Sequence, residues 1–386
     1  MCLTLITFVI GTDDFIIAGV LPEIAQDHRV SEAAAGQLVT VFSVTYALAA
    51  PPLAVATARL PRKAVVVSGL ATFALLNLVT ALAPTFGALM AFRVAAALVA
   101  AALTPAVFAM AATLASPDRV GRAIGFVAAG LTVSLFIGVP IGSLLGTAFG
   151  WRASFLAVAL FTGVVLVAST SLLPRIPGAP EIGVRAQLRI LSRPAVLTCV
   201  IGTAMGASGG LLVYSYIAPI SRGLSGHGGT TLAVFIAVVG IAGAIGTFAG
   251  GRLTDRWGAD RALLTTFALM AVAVSGLAII GLTGNGAAPV WLTAVAFAAY
   301  GFAGWGFNPP MNARVLQLAG DAGTEAVALN TSGLYVGISL AGAVGGGAIA
   351  AYGGTGGVVT AALICWVTLV VMATAVHWYP RPSRTP

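Results

Sequence analysis

Two carboxylates, Asp13 and Asp14, stand side by side inside a run that is otherwise apolar from Cys2 to Leu21. An acid at membrane depth costs roughly 2.5 to 3.5 kcal/mol on insertion scales, so its presence there marks a functional site by default. The chemistry open to it is proton uptake and release, or service in a structural pair held by neighbouring helices. On an α-helix adjacent residues lie about 100° apart, so the two acids cannot share a face. Asp13 is flanked at three, four and seven residues by Ile6, Val9, Ile10, Ile16, Ile17 and Val20, a bulky aliphatic stripe. Asp14 is flanked by Thr7, Gly11, Ala18 and Leu21, a smaller and more polar stripe that suits a cavity wall. Asp14 is therefore the expected proton carrier, with Asp13 as the alternative and a structural acid pair as the third reading.

Arg93 reads as the only basic residue inside a span. At 1.5 Å per residue, Asp14 lies about 18 Å along its helix and Arg93 roughly 10 Å below the opposite surface. In a hydrocarbon core of about 30 Å those depths nearly coincide. Arg93 is expected to hold Asp14 charged when close, and to release it for protonation when the helices rearrange. The plainer alternative is a snorkelling or structural arginine.

The elements that must position these groups follow from composition. Of 386 residues 59% are hydrophobic and only 8% charged, where a soluble domain is about a quarter charged. The chain is an integral membrane protein, and spans of about 20 apolar residues are its natural unit. Such segments fall at residues 2–21, 36–57, 64–83, 86–114, 121–148, 153–173, 195–219, 231–250, 262–283, 288–308, 325–351 and 357–378. The fold class is thus all-α, with twelve transmembrane helices in two halves of six. The expected division is a bundle over 1–174, a cytoplasmic linker over 175–193 and a second bundle with a short tail over 194–386. The first run lacks a basic leader and a small-residue cleavage pattern, and reads as a retained helix rather than a signal peptide.

Basic residues give the orientation. With the N-terminus inside, 15 of the 19 Lys and Arg residues fall in cytoplasmic segments. Only Arg29, Arg152 and Arg222 fall outside, and Arg93 lies within a span. Both termini are then cytoplasmic, and the net charge of +8 needs no nucleic-acid partner, since no basic patch is interleaved with aromatics. Cys2, Cys199 and Cys365 have no disulfide or zinc spacing and read as packing residues. Many glycines recur four apart, as in Gly138, Gly142 and Gly146, a spacing that lets helices approach closely in lipid.

Short basic turns follow the second span of each half: Ala58-Arg59-Leu60-Pro61-Arg62-Lys63, and Gly251-Arg252-Leu253-Thr254-Asp255-Arg256-Trp257-Gly258-Ala259-Asp260-Arg261. In the second, Asp255 is an acid placed to cap or clamp neighbouring helix ends. With these turns, the chain resembles the major facilitator superfamily, and within it the twelve-helix drug:proton antiporter branch of chloramphenicol-resistance and arabinose-efflux-permease type. Gly251, Asp255, Arg256, Gly258 and Arg261 match the superfamily's loop motif, whereas the first copy has Ala58 in place of Asp and Pro61 in place of Gly. The stretch from Gly11 to Ala25 resembles the branch's first-helix signature, and Arg93 takes the place of its fourth-helix arginine. Gly138-Val139-Pro140-Ile141-Gly142, running on to Gly150-Trp151-Arg152, resembles its fifth-helix antiporter motif. The resemblance implies two pseudo-symmetric bundles around a central cavity, rocking to expose it to either side in turn.

Further cavity candidates are polar or aromatic residues within spans: Tyr46, Asn77 and Thr104 in the first half, and Tyr214, Tyr216, Trp305, Asn308, Asn330 and Tyr335 in the second. A mostly apolar pocket with a few polar groups suits an amphiphilic ligand. Pro140 is an expected bend. Gly206-Ala207-Ser208-Gly209-Gly210 fits a hydrolase pattern but has no preceding strand and no buried partner, so no enzyme is expected. His28, His227 and His377 form no metal cluster. The expected function is export of small amphiphilic molecules or drugs, driven by protons without a cofactor, by a monomer in the bacterial cytoplasmic membrane. A facilitator or proton-linked transporter of a sugar, nucleoside or other metabolite is the alternative, and an intramembrane enzyme or receptor the distant third.

Overall fold

The computed structural model describes residues 1–116, 120–178, 183 and 189–379. Much of the linker, at 179–182 and 184–188, and the tail at 380–386 lie outside the described residues, as do Arg119, Arg185, Arg381 and Arg384 of the orientation count. The architecture is all-helical. In chain order the helices are α1 (Cys2–His28), α2 (Glu32–Ala58), α3 (Arg62–Ala81), α4 (Phe86–Leu114), α5 (Val120–Val133), α6 (Val139–Phe149), α7 (Trp151–Leu172), α8 (Pro194–Ser215), α9 (Ile217–Ser225), α10 (Thr230–Trp257), α11 (Ala259–Gly284), α12 (Val290–Gly306), α13 (Asn308–Ala319) and α14 (Gly323–Trp378). Eleven continuous stretches are long and apolar enough to cross a membrane. The last is two helices, because Gly353 interrupts it at φ 64°, ψ −163°, a region open essentially to glycine alone. Twelve apolar helices result among the described residues.

Helix ends follow local chemistry. Ser31 caps α2 by accepting from the Ala34 amide at 3.1 Å, and Thr85 caps α4 through Ala88 at 3.2 Å. Gly150 at φ 87° and Gly258 at φ 80° turn the chain between α6 and α7 and between α10 and α11. At the end of α1, Asp27 accepts from Trp151 Nε1 at 3.0 Å and from Arg152 Nη1 at 2.5 Å, joining α1 to the start of α7.

The contacts divide the chain into two compact units, Met1–Gly183 with Gly229–Ala237, and Val184–Gly228 with Val238–Pro386. Within the first, α1 is the most enclosed span. A Cβ on Gly138 would stand 2.1 Å from Thr12 Oγ1, on Gly142 2.4 Å from Ile16 Cδ1, and on Gly146 2.4 Å from Val20 Cγ1. These glycines bring α6 and the turn before it directly onto α1. The expected bend at Pro140 takes the form of a π-helical turn, Ser134–Gly138, just before the proline that supplies no amide proton.

Candidate functional site

The site grows from α1 in the first unit. Asp13 and Arg93 are both wholly buried and Asp14 is 3% exposed. Arg93 Nη1, from α4, donates to Asp13 Oδ2 at 2.8 Å. The same guanidinium lies 4.3 Å over the Phe42 ring of α2, whose face carries the negative lobe of the aromatic quadrupole. Tyr46, one turn on, stacks with Phe42 at 6.5 Å between centroids. Asn77 of α3 bonds the Phe73 carbonyl at 3.1 Å and stands beside the Asp13 carboxyl. Four helices therefore converge on one buried ion pair. Among the described residues, Arg93 Nε and Nη2, Asp13 Oδ1 and Asn77 Oδ1 make no hydrogen bond. That leaves donor and acceptor capacity in a buried place, where unmet polar groups are costly.

Here the structure corrects the sequence reading. The sequence reading pairs Arg93 with Asp14, whereas the 2.8 Å contact of the α4 arginine is with Asp13. The aliphatic neighbours Ile6, Val9, Ile10, Ile16, Ile17 and Val20 are at most 1% exposed, so Asp13 points into the protein on the most buried face of α1. The small stripe near Asp14 serves helix packing as well: Thr7 donates to the Val127 carbonyl of α5 at 2.6 Å, and a Cβ on Gly11 would meet Ser134 Oγ at 2.5 Å. Side-chain size along one helix says which neighbours can come close, not which polar groups those neighbours carry.

The remaining first-unit candidates separate. Tyr46 and Asn77 join the pair, whereas Thr104 lies eleven residues beyond Arg93 on α4, about 16 Å along the axis, and donates to the Ala100 carbonyl of its own helix. In the second unit, Tyr214 and Trp305 meet edge to face at 5.6 Å, and Trp305 meets Tyr300 likewise at 6.2 Å. Tyr300 was not among the expected residues; its hydroxyl donates to the Gly210 carbonyl of α8 at 2.6 Å. Tyr216 spends its hydroxyl on the Gly342 carbonyl at 2.7 Å. Asn330 forms a polar chain, accepting from Thr203 at 2.7 Å and donating to Asn312 at 3.1 Å. Asn308 lies one turn before Asn312 on α13 and is half-buried, while Tyr335 is buried.

The loop motifs hold a second correction. Arg314, which the sequence reading puts in a cytoplasmic loop, is wholly buried on α13. It donates through Nη1 to Asp260 Oδ1, and through Nη2 to the carbonyls of Ala375 at 3.3 Å and Tyr379 at 2.7 Å. Arg93 is thus not the only cation buried among the helices. Asn308, Pro309 and Pro310 break the apolar run, but proline in the first turn starts a helix instead of ending one. The acid that clamps is Asp260, in the first turn of α11, and not Asp255, which is exposed with Arg256 and Arg261. Gly251 is half-buried with open space at its missing side chain, and Gly258 makes the turn. In the first-unit turn Arg59 is exposed, Lys63 half-buried and Arg62 buried, its amide bonded to the Ile176 carbonyl at 2.9 Å.

A family model described as the Major Facilitator Superfamily matches residues 3–339. The chain is 30% identical to a chloramphenicol resistance protein of Streptomyces lividans, over 85% of this chain and 83% of that one. It is 28% identical to a chloramphenicol efflux pump of Mycobacterium tuberculosis (strain ATCC 25618 / H37Rv), over 98% and 92% of the two chains. A crystal structure of a bacterial homolog to the human lysosomal transporter Spinster, in an inward-facing and occupied conformation, superposes with a TM-score of 0.81 at 18% identity, covering 100% of this chain and 98% of that one.

Proposed function

The chain belongs to the major facilitator superfamily, and from that premise we propose that this multi-pass cell-membrane transporter is a proton-coupled antiporter exporting small amphiphilic, drug-like compounds. The proton gradient supplies the energy, no cofactor takes part, and a monomer suffices for alternating access with both termini in the cytoplasm. The observation that carries this reading is the buried Asp13–Arg93 pair with a second acid next to it on α1. The pair cancels its own charge. Asp14 adds a further carboxylate to the same apolar helix, and charge at that depth is strongly disfavoured. Taking up a proton removes that charge, so protonation is the step that lets the site change exposure across an apolar barrier. Asp14 is accordingly the proton carrier and Asp13 the partner of Arg93.

Export of drugs is supported by the relatives whose names carry chloramphenicol resistance and efflux. The aromatic group Tyr214, Tyr300 and Trp305 in the second unit suits compounds with an aryl face. In proteoliposomes with an imposed pH gradient, Asp14→Asn is expected to abolish uphill transport of chloramphenicol while leaving gradient-free counterflow within about threefold. Uphill transport at the native rate in this variant would remove Asp14 from the mechanism. If the native protein shows no proton-dependent movement of any compound in a broad amphiphile panel, the antiport reading falls and the family assignment stays.

A further inference from the structure

On α10 the residues Ile241, Ile245, Phe248, Arg252 and Arg256 recur at spacings of four, three, four and four, which places all five on one face of the helix. That face is open: Ile241 is 52%, Ile245 57% and Phe248 62% exposed, and both arginines are exposed. The Arg252 guanidinium lies 4.1 Å over the Phe248 ring. Trp257, 52% exposed, closes the helix, and Arg261 is exposed on the first turn of α11. Among the described residues, Arg252, Arg256 and Arg261 make no ion pair. The nearby acids do not offset them fully: Asp255 is a single exposed carboxylate, and Asp260 is already held by Arg314.

We propose that this face of α10 binds an anionic phospholipid, one acyl chain lying along Ile241, Ile245 and Phe248 and the phosphate held between Arg252 and Arg256. Depth supports it. Arg252 stands about 6 Å beyond Phe248 along the axis, comparable to the roughly 5 to 8 Å headgroup layer on each side of a bilayer, and Arg256 stands about 6 Å further on. A guanidinium offers paired N–H donors that match two phosphate oxygens, and its flat face stays on the Phe248 ring while its edge binds. The tendency of basic residues to remain in the cytoplasm explains why arginines occur in this turn. It does not explain why two of them continue an exposed apolar stripe on one helical face, one stacked on the aromatic at its end. This inference is independent of what the protein transports.

The test uses full-length protein stripped of lipid in detergent, with binding followed by native mass spectrometry. Short-chain phosphatidylglycerol, short-chain phosphatidylcholine and inorganic phosphate are the probes. The native protein is expected to prefer phosphatidylglycerol over phosphatidylcholine. Arg252→Gln/Arg256→Gln is expected to weaken phosphatidylglycerol roughly tenfold or more, at about 1 kcal/mol per arginine. The double variant Arg59→Gln/Lys63→Gln, with the same change in net charge at the other basic turn, is expected to leave the affinity within twofold. Melting temperatures without lipid report whether each variant is folded; Arg59, Arg252 and Arg256 are exposed and Lys63 half-buried, and no large change is expected. An equal loss in both double variants, or inorganic phosphate displacing the lipid at matched concentration, overturns the proposal. So does equal affinity for the two lipids.

Discussion

Asp13→Asn is expected to lower the stability of the folded protein by about 3 to 5 kcal/mol, because it leaves the Arg93 charge buried without its partner. Arg93 is wholly enclosed, and apart from Asp13 its guanidinium contacts the Phe42 ring, which cannot replace a carboxylate. Arg93→Met alone strands Asp13 in the same way and should cost a similar amount. The double substitution Asp13→Asn/Arg93→Met removes both charges and should recover most of the loss, since a buried pair adds little net stability over an apolar replacement. Unfolding of the purified variants by denaturing detergent, followed by circular dichroism, completes the cycle. A coupling between the two sites below about 1 kcal/mol would be the value of a solvated surface pair, and would contradict an enclosed one. The cycle also separates structure from transport, for a stable double variant that no longer couples to protons would show that the pair has a role beyond holding α1 to α4.

The second large effect is expected at the other end of the chain. Arg314→Met should cost about 3 kcal/mol, because one guanidinium serves the Asp260 carboxylate and two main-chain carbonyls at the end of α14. Carbonyls in the last turn of a helix have no intrahelical donor, and a cation there also favours the helix dipole. Asp260 benefits from the opposite dipole at the start of α11. Hydrogen exchange should therefore rise on the order of a hundredfold for the final turn of α14, with smaller changes at the start of α11. Arg314→Lys keeps the charge but not the fork of donors, and should fall between native and Met. Unchanged exchange at residues 375–379 in the Met variant would mean that the carbonyl bonds contribute nothing to anchoring.

Most of the helical plan was legible because the bilayer imposes it: a span needs about 20 apolar residues, and breaks at Gly150 and Gly258 are ordinary turn chemistry. The closeness of α1 to α6 was foreshadowed by Gly138, Gly142 and Gly146, although nothing in their spacing names Thr12, Ile16 and Val20 as the side chains received. The buried pair was half legible. A lone acid cluster and a lone arginine at similar depth have few places to go, but choosing between Asp13 and Asp14 required knowing that Phe42, Asn77 and Arg93 all reach the same face of α1. Arg314 was misread for a local reason. Asn308, Pro309, Pro310, Asn312 and Arg314 make a polar, proline-bearing segment that looks like a loop, and only the carbonyls and carboxylate collected around the guanidinium make its burial affordable. The Tyr300 contribution to the aromatic group had no signal at all, because an interior tyrosine is the same letter whichever way its ring points.

Gly353 has a bearing on where the ends of the chain lie. The last helical element contains 56 residues, about 84 Å if unbroken, nearly three times a hydrocarbon core of about 30 Å. The kink at φ 64° divides that length into two helices and makes the number of apolar helices among the described residues even. One residue thereby decides whether the apolar helices among the described residues are even or odd in number, and the proposal that both termini face the cytoplasm requires the even count. Reporters fused at the two ends should respond alike to compartment, and a larger side chain at residue 353 should lower the yield of correctly inserted protein before it alters any rate of transport.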